Sequence, residues 1–137
     1  MRYFGFLFFL LMGVMGCDER EVARVNHALT HATPLSCLKL NTIGLEPAFK
    51  EVLFLEYAFD DACPWTLDVR YKRDIVCNSS YNAVSKNLGK FPRSFLKLEV
   101  REGMKVVYSY YIDLYDNVDK SDLQRGIKRL KKDLLSR

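Results

Sequence analysis

The sequence predicts an α+β domain: an antiparallel sheet of about five strands, a short helix between its halves, and a C-terminal amphipathic helix packed on one face. Three observations predict it. From residue 35 onward, apolar and polar residues alternate in several runs, the period of half-buried strands. Two of these runs are joined by Glu102-Gly103-Met104, a hairpin pattern. Near the end, Leu123, Ile127, Leu130 and Leu134 recur at helical spacing.

Taken in order, Asp18 to Thr33 carry Val22, Val25 and Leu29 at loose helical spacing, which predicts a frayed helix or tether over 17–34 that ends at Pro34. Leu38 and Leu40 predict a first strand running to Ile43, and Gly44-Leu-Glu-Pro47 a turn. Glu51 to Phe59 reads as a central second strand, because both of its alternating faces are largely apolar. After Asp60-Asp61-Ala-Cys-Pro64, Trp65, Leu67, Val69 and Tyr71 alternate with Thr66, Asp68, Arg70 and Lys72, a third strand with one wet face. Ser79 or Ser80 is placed to cap a short helix carrying Tyr81, Val84 and Leu88, with Gly89 at its end. Ser94 to Arg101 and Lys105 to Tyr115 are the hairpin strands. In the last helix Ser121-Asp-Leu-Gln124 has capping-box spacing, and Gly126 on the apolar stripe implies close packing against the sheet.

Composition is that of a folded globular chain: of 137 residues, 9 are Phe and 8 Tyr, against 7 Gly and 4 Pro, and the formal charge is +4. No repeat or low-complexity tract interrupts it. The N-terminus is different in kind. Arg2 is followed by an apolar run from Tyr3 to Met15, too short to span a bilayer at roughly 20 residues per crossing, and Asp18-Glu-Arg-Glu turns the chain abruptly polar. Between them stands Val14-Met15-Gly16-Cys17, which resembles the lipobox of bacterial lipoproteins, where the cysteine is acylated and becomes the mature N-terminus. Val14 and Gly16 fit that pattern, and Met15 is bulkier than its usual occupant, which leaves open ordinary signal cleavage after Gly16. The resemblance implies a signal peptide over 1–16, lipidation of Cys17, and a tether over 17–34 leading to one globular domain over 35–137.

Export would place Cys37, Cys63 and Cys77 in an oxidising compartment, where one disulfide and one free thiol are expected if Cys17 is acylated. Geometry selects the pair. A straight strand from Trp65 to Lys72 spans roughly 26 Å, and the five steps on to Cys77 return at most about 17 Å, so Cys63 and Cys77 stay apart. In an antiparallel meander the start of the first strand lies beside the end of the second, which makes Cys37 with Cys63 the expected bridge. A zinc site is disfavoured, because no C-x-x-C pair occurs and His27 and His31, at i and i+4, have Ala28 where a zinc protease has its catalytic Glu.

Two surfaces are candidates for contact with partners. The last helix presents Arg125, Lys128, Arg129 and Lys132 at i, i+3, i+4 and i+7, a face suited to anionic lipid or an acidic partner, or simply to solvent. On the sheet, Phe54, Phe95, Tyr111 and Tyr115 are expected to share the face away from the helix, near Lys97 and Arg101, either as an interface or as a second small core. Asp113, Asp116 and Asp119 lack the Gly and closing Glu of a calcium loop and read as a lead-in to the last helix. Asp60-Asp61 comes with no sign of a paired acid across a cleft. There is no G-x-S-x-G, no phosphate-binding Gly loop and no His in the folded core to act as a base.

The expectation is thus a non-enzymatic lipoprotein of the cell envelope, exported, facing periplasm or cell surface, with no cofactor or metal and no nucleic-acid partner. Its expected partners are the membrane, through the lipid, and another envelope protein. The alternatives are a freely secreted, disulfide-stabilised effector or ligand-binding domain, and a small envelope hydrolase.

Overall fold

The computed structural model describes residues 23–27, 34–75 and 92–135. Within them the chain forms an α+β fold with five strands, β1 (Arg24–His27), β2 (Lys39–Ile43), β3 (Trp65–Lys72), β4 (Ser94–Glu102) and β5 (Lys105–Leu114). Helix α1 (Pro47–Glu56) lies between β2 and β3, and α2 (Lys120–Leu130) continues into a π-helical segment, Lys131–Leu135. The sheet order is β1-β5-β4-β3-β2. It is mixed: three pairings are antiparallel, and β2 runs parallel to β3.

The parallel pair explains the largest departure from the expected elements. Glu51 to Phe59 is not a strand; residues Pro47–Glu56 form α1, and Tyr57 leaves it in extended conformation. A continuous apolar run does not by itself distinguish a buried strand from a helix. Here Pro47 is pre-set for the first helical turn, and Ala48, Lys50, Glu51, Leu53, Leu55 and Glu56 are good helix formers. Parallel neighbours also need a long crossover, which α1 supplies. Leu53 is buried on the sheet side, with Phe49 and Val52 packed beside it.

A second correction concerns the tether expected over 17–34. Its segment Arg24–His27 is not a frayed helix but strand β1, paired antiparallel with β5. Without that partner β5 would present an edge of unpaired N–H and C=O groups. The short helix expected near Ser79 to Gly89 lies outside the described residues.

The hairpin is as expected. Lys105 pairs with Glu102 around Gly103, whose φ of +59° suits glycine, and a bulge interrupts the ladder beside Val100 and Arg101. Leu96, Leu98 and Val100 of β4, Tyr108, Tyr110 and Ile112 of β5, and Leu67, Val69 and Tyr71 of β3 all face the helices and are buried. Leu123, Ile127, Leu130 and Leu134 close that core from the other side. Gly126 allows the close approach: a Cβ there would sit 3.3 Å from Leu98 and from the Tyr110 ring.

Helix α2 starts two residues earlier than the Ser121–Gln124 spacing suggests. Asp119 is the N-cap, accepting from the Asp122 backbone N–H at 2.9 Å, while the Asp122 carboxylate accepts from the Asp119 N–H at 2.9 Å. Ser121 instead donates its hydroxyl to Asp119 at 2.7 Å. That bond, followed by the backbone one, holds the Asp119 carboxyl below its ordinary range.

Cys37 and Cys63 form a disulfide, with Cα atoms 5.8 Å apart. It joins the approach to β2 with the turn before β3, clamping the two ends that the crossover separates. Cys17 and Cys77 lie outside the described residues.

Candidate functional site

The sheet has one face buried under the helices and one facing away from them. Register lines up the outer face in rows. Asn41, Asp68, Glu99, Ser109 and Asn26 form one row across all five strands, and Arg70, Lys97, Tyr111 and Arg24 form the next. Two carboxylates, Asp68 and Glu99, therefore stand directly opposite each other, an arrangement that repels unless each is compensated. Each has its own cation. Arg101 donates to Asp68, which also accepts from Asn41 Nδ2 at 2.7 Å, and Lys97 is ion-paired with Glu99. Asp68 is only 6% exposed, so its two donors replace the water it has lost. The Asp68 carboxylate in turn raises the Arg101 pKa, by hydrogen bonding first and charge second.

On the same face Phe95 stacks on Tyr111, with ring centroids 5.3 Å apart and an interplanar angle of 28°. Tyr111 donates its hydroxyl to Asp113 at 2.8 Å, and burial followed by that bond pushes its pKa up to about 12. The structure thus brings Phe95, Tyr111, Lys97 and Arg101 onto one surface. Phe54 does not join them. It belongs to α1, on the helical side of the sheet, and meets Phe59 edge-on at 5.7 Å. Tyr115 follows the end of β5 at a bend. The physical reason for the Phe54 correction is the helix: the strand reading that aligned it with Phe95 does not hold for a residue of α1.

The basic helix face is present but divided. Arg125 is paired with Asp122, and Arg129 with Asp133 at 2.8 Å, where Tyr108 also donates its hydroxyl at 3.0 Å. Lys128 has no ion-pair partner among the described residues. Arg125, Lys128 and Lys131 line a groove of about 460 Å³ together with Glu56, Ser121 and Gln124. Gln124 donates to the Glu56 carboxylate at 2.8 Å, and the Lys131 ammonium donates to the Glu56 carbonyl at 3.1 Å, which closes the C-terminal end of α1 against α2. Beside this end Leu55 is 82% exposed and Phe54 59%.

Sequence reasoning missed both Asp68 and this groove. Asp68 reads as one more polar residue of a wet strand face, and only register shows that Asn41 and Arg101 converge on it. The groove needs Glu56 to sit at a helix end. Of the other residues considered, Asp113 serves Tyr111, the Asp116 carbonyl accepts from Ser94 at 2.7 Å, Asp119 caps α2, and His27 belongs to β1, while His31 lies outside the described residues. Among the described residues no group of three or more His, Cys, Asp or Glu side chains is placed to hold a metal ion.

Comparison with protein-family models, with curated proteins and with solved structures gave no match. Among the described residues no helix is long and apolar enough to cross a membrane.

Proposed function

We propose that this chain is an exported lipoprotein of the cell envelope, anchored through Cys17 and acting as a non-enzymatic binding or assembly module. The observation that carries the reading is the Cys37–Cys63 disulfide, a bond that persists in oxidising compartments and is rare in reducing ones. It accords with an N-terminus that resembles a signal peptide ending in a lipobox. The outer sheet face supports the binding role. It sets an aromatic pair, Phe95 and Tyr111, beside Lys97, Arg101 and Arg24, a mixture of amphipathic rings and cations of the kind that protein interfaces favour. The proposed partner for that face is another envelope protein.

Intact-mass measurement of the native mature protein tests the anchor. The expected species begins at Cys17, carries acyl chains, and is two hydrogens lighter for the one disulfide. A fatty-acid analogue should label the wild type and not Cys17→Ser. Retention of label by the variant, or recovery of an unmodified chain from the soluble extracellular fraction, overturns the lipoprotein reading in favour of free secretion.

A further inference from the structure

We propose that the helical side of the domain, through Leu55 and the basic groove beside it, docks on an anionic phospholipid bilayer; the inference rests on the lipid-anchor reading for its proximity to such a surface. Charge and exposed apolar surface coincide here. The groove is lined by three cations, Arg125, Lys128 and Lys131, against one carboxylate, Glu56, which is already engaged by Gln124. Along Lys120–Leu135 the basic residues continue with Arg129 and Lys132, opposed by Asp122 and Asp133. Immediately before Glu56 stands Leu55, 82% exposed at the end of α1, an apolar side chain that the domain's own core does not use.

Each half of this arrangement suits a different layer of a bilayer. Phosphate headgroups meet the ammonium and guanidinium groups at the surface, while Leu55 reaches the boundary of the acyl region, the division of labour seen in interfacial amphipathic helices. The tether length is compatible with contact. Arg24, the first residue of β1, follows Cys17 by seven positions, which span at most about 25 Å however they are arranged. That reach is comparable to the diameter of a small domain, so the anchor holds the helical layer at high effective concentration over the surface. The opposite face of the sheet is then left free for a protein partner.

The test uses full-length mature protein purified with its native N-terminus, in which Leu55→Trp is combined with Trp65→Phe so that position 55 carries the one tryptophan. The protein is added to phosphatidylcholine vesicles with or without phosphatidylglycerol, and with acyl chains brominated for quenching. Expected are a blue shift and quenching with phosphatidylglycerol, and neither with phosphatidylcholine alone. Adding Lys128→Ser should lower the docked-to-undocked ratio about fivefold, the effect of one basic residue at an anionic surface. Lys39→Ser, on the outer sheet face, should leave it unchanged, and an equal loss there overturns the proposal by reducing it to net charge. Protein that sediments with vesicles but stays unquenched overturns the docking and leaves the anchor standing. Quenching by a chain whose mass shows no acyl group overturns the anchor and leaves the docking. A blue shift without quenching assigns Leu55 to a protein contact, such as a second copy, and overturns the bilayer as its occupant.

Discussion

The two faces of the sheet are built from the same strands and solve opposite problems. On the inner face Leu67, Val69, Leu96, Leu98, Tyr110 and Ile112 are shut away under α1 and α2, and stability comes from apolar surface removed from water. On the outer face Asp68, Glu99, Lys97 and Arg101 compensate one another across strands, around a stacked Phe95 and Tyr111. The inner face is specified by shape and tolerates no charge. The outer face is specified by pairing, so its members are replaceable at modest cost as long as no partner is left buried alone. A surface of the second kind is free to carry recognition.

The sharpest way to break this comparison is to put a charge on the wrong side. Leu130→Asp places a carboxylate between α2 and the sheet, where it has neither water nor a cation, and the cooperative thermal transition is expected to disappear. A retained two-state melt would show that α2 is not part of the core. Next in size is Cys37→Ser. Opening a closed loop of 26 residues' separation is expected to cost about 3 kcal/mol in urea unfolding, and an unchanged midpoint would mean that packing alone holds β2 beside β3.

On the outer face the expected losses are smaller. Asp68→Ala should cost about 1–2 kcal/mol, since Arg101 remains partly exposed and recovers water, and a double-mutant cycle with Arg101→Ala should show the two losses to be less than additive. A cost as large as that of Leu130→Asp would erase the distinction between the faces. The smallest effect sits at the helix start, where Asp119→Ala should remove about 1 kcal/mol of capping. Its pH dependence has a definite sign. The folded Asp119 pKa lies below the ordinary 3.8, so its stabilisation is complete above that value and is lost as pH falls through the lower, folded one. Acid titration of unfolding should therefore be shallower in Asp119→Asn than in the wild type below about pH 4.

Legibility in the sequence followed the same division. Inner-face alternation at Leu96, Leu98 and Val100, the Leu123–Leu134 stripe and the Gly103 turn were readable because each is a local pattern with one structural solution. The Cys37–Cys63 pair is the expected one, but strand length excludes only Cys63 with Cys77; the step that chose Cys37 set it beside the end of a second strand, where the structure has α1 and a parallel crossover. Residues Glu51–Phe59 were misread because an apolar run has two solutions, and the local helix signals, Pro47 at the first turn and the helix formers that follow it, lie partly ahead of the stretch read as a strand. Arg24–His27 were misread because a short edge strand draws its stability from the strand beside it rather than from its own pattern. Of the outer-face site, Phe95, Lys97, Arg101 and Tyr111 were found as members of one alternating hairpin, whereas Asp68 and Asn41 came from strands whose register no local pattern states.

By itself, then, the sequence determined the class of the domain, its hairpin and its last helix, because spacing acts over a few residues and leaves little choice. Tertiary structure alone decided that β1 is a strand, that β2 runs parallel to β3, and that Asn41, Arg101 and Asp68 meet. Those outcomes depend on which strands become neighbours, a contest among distant segments for hydrogen bonds and burial that no single stretch of the chain records.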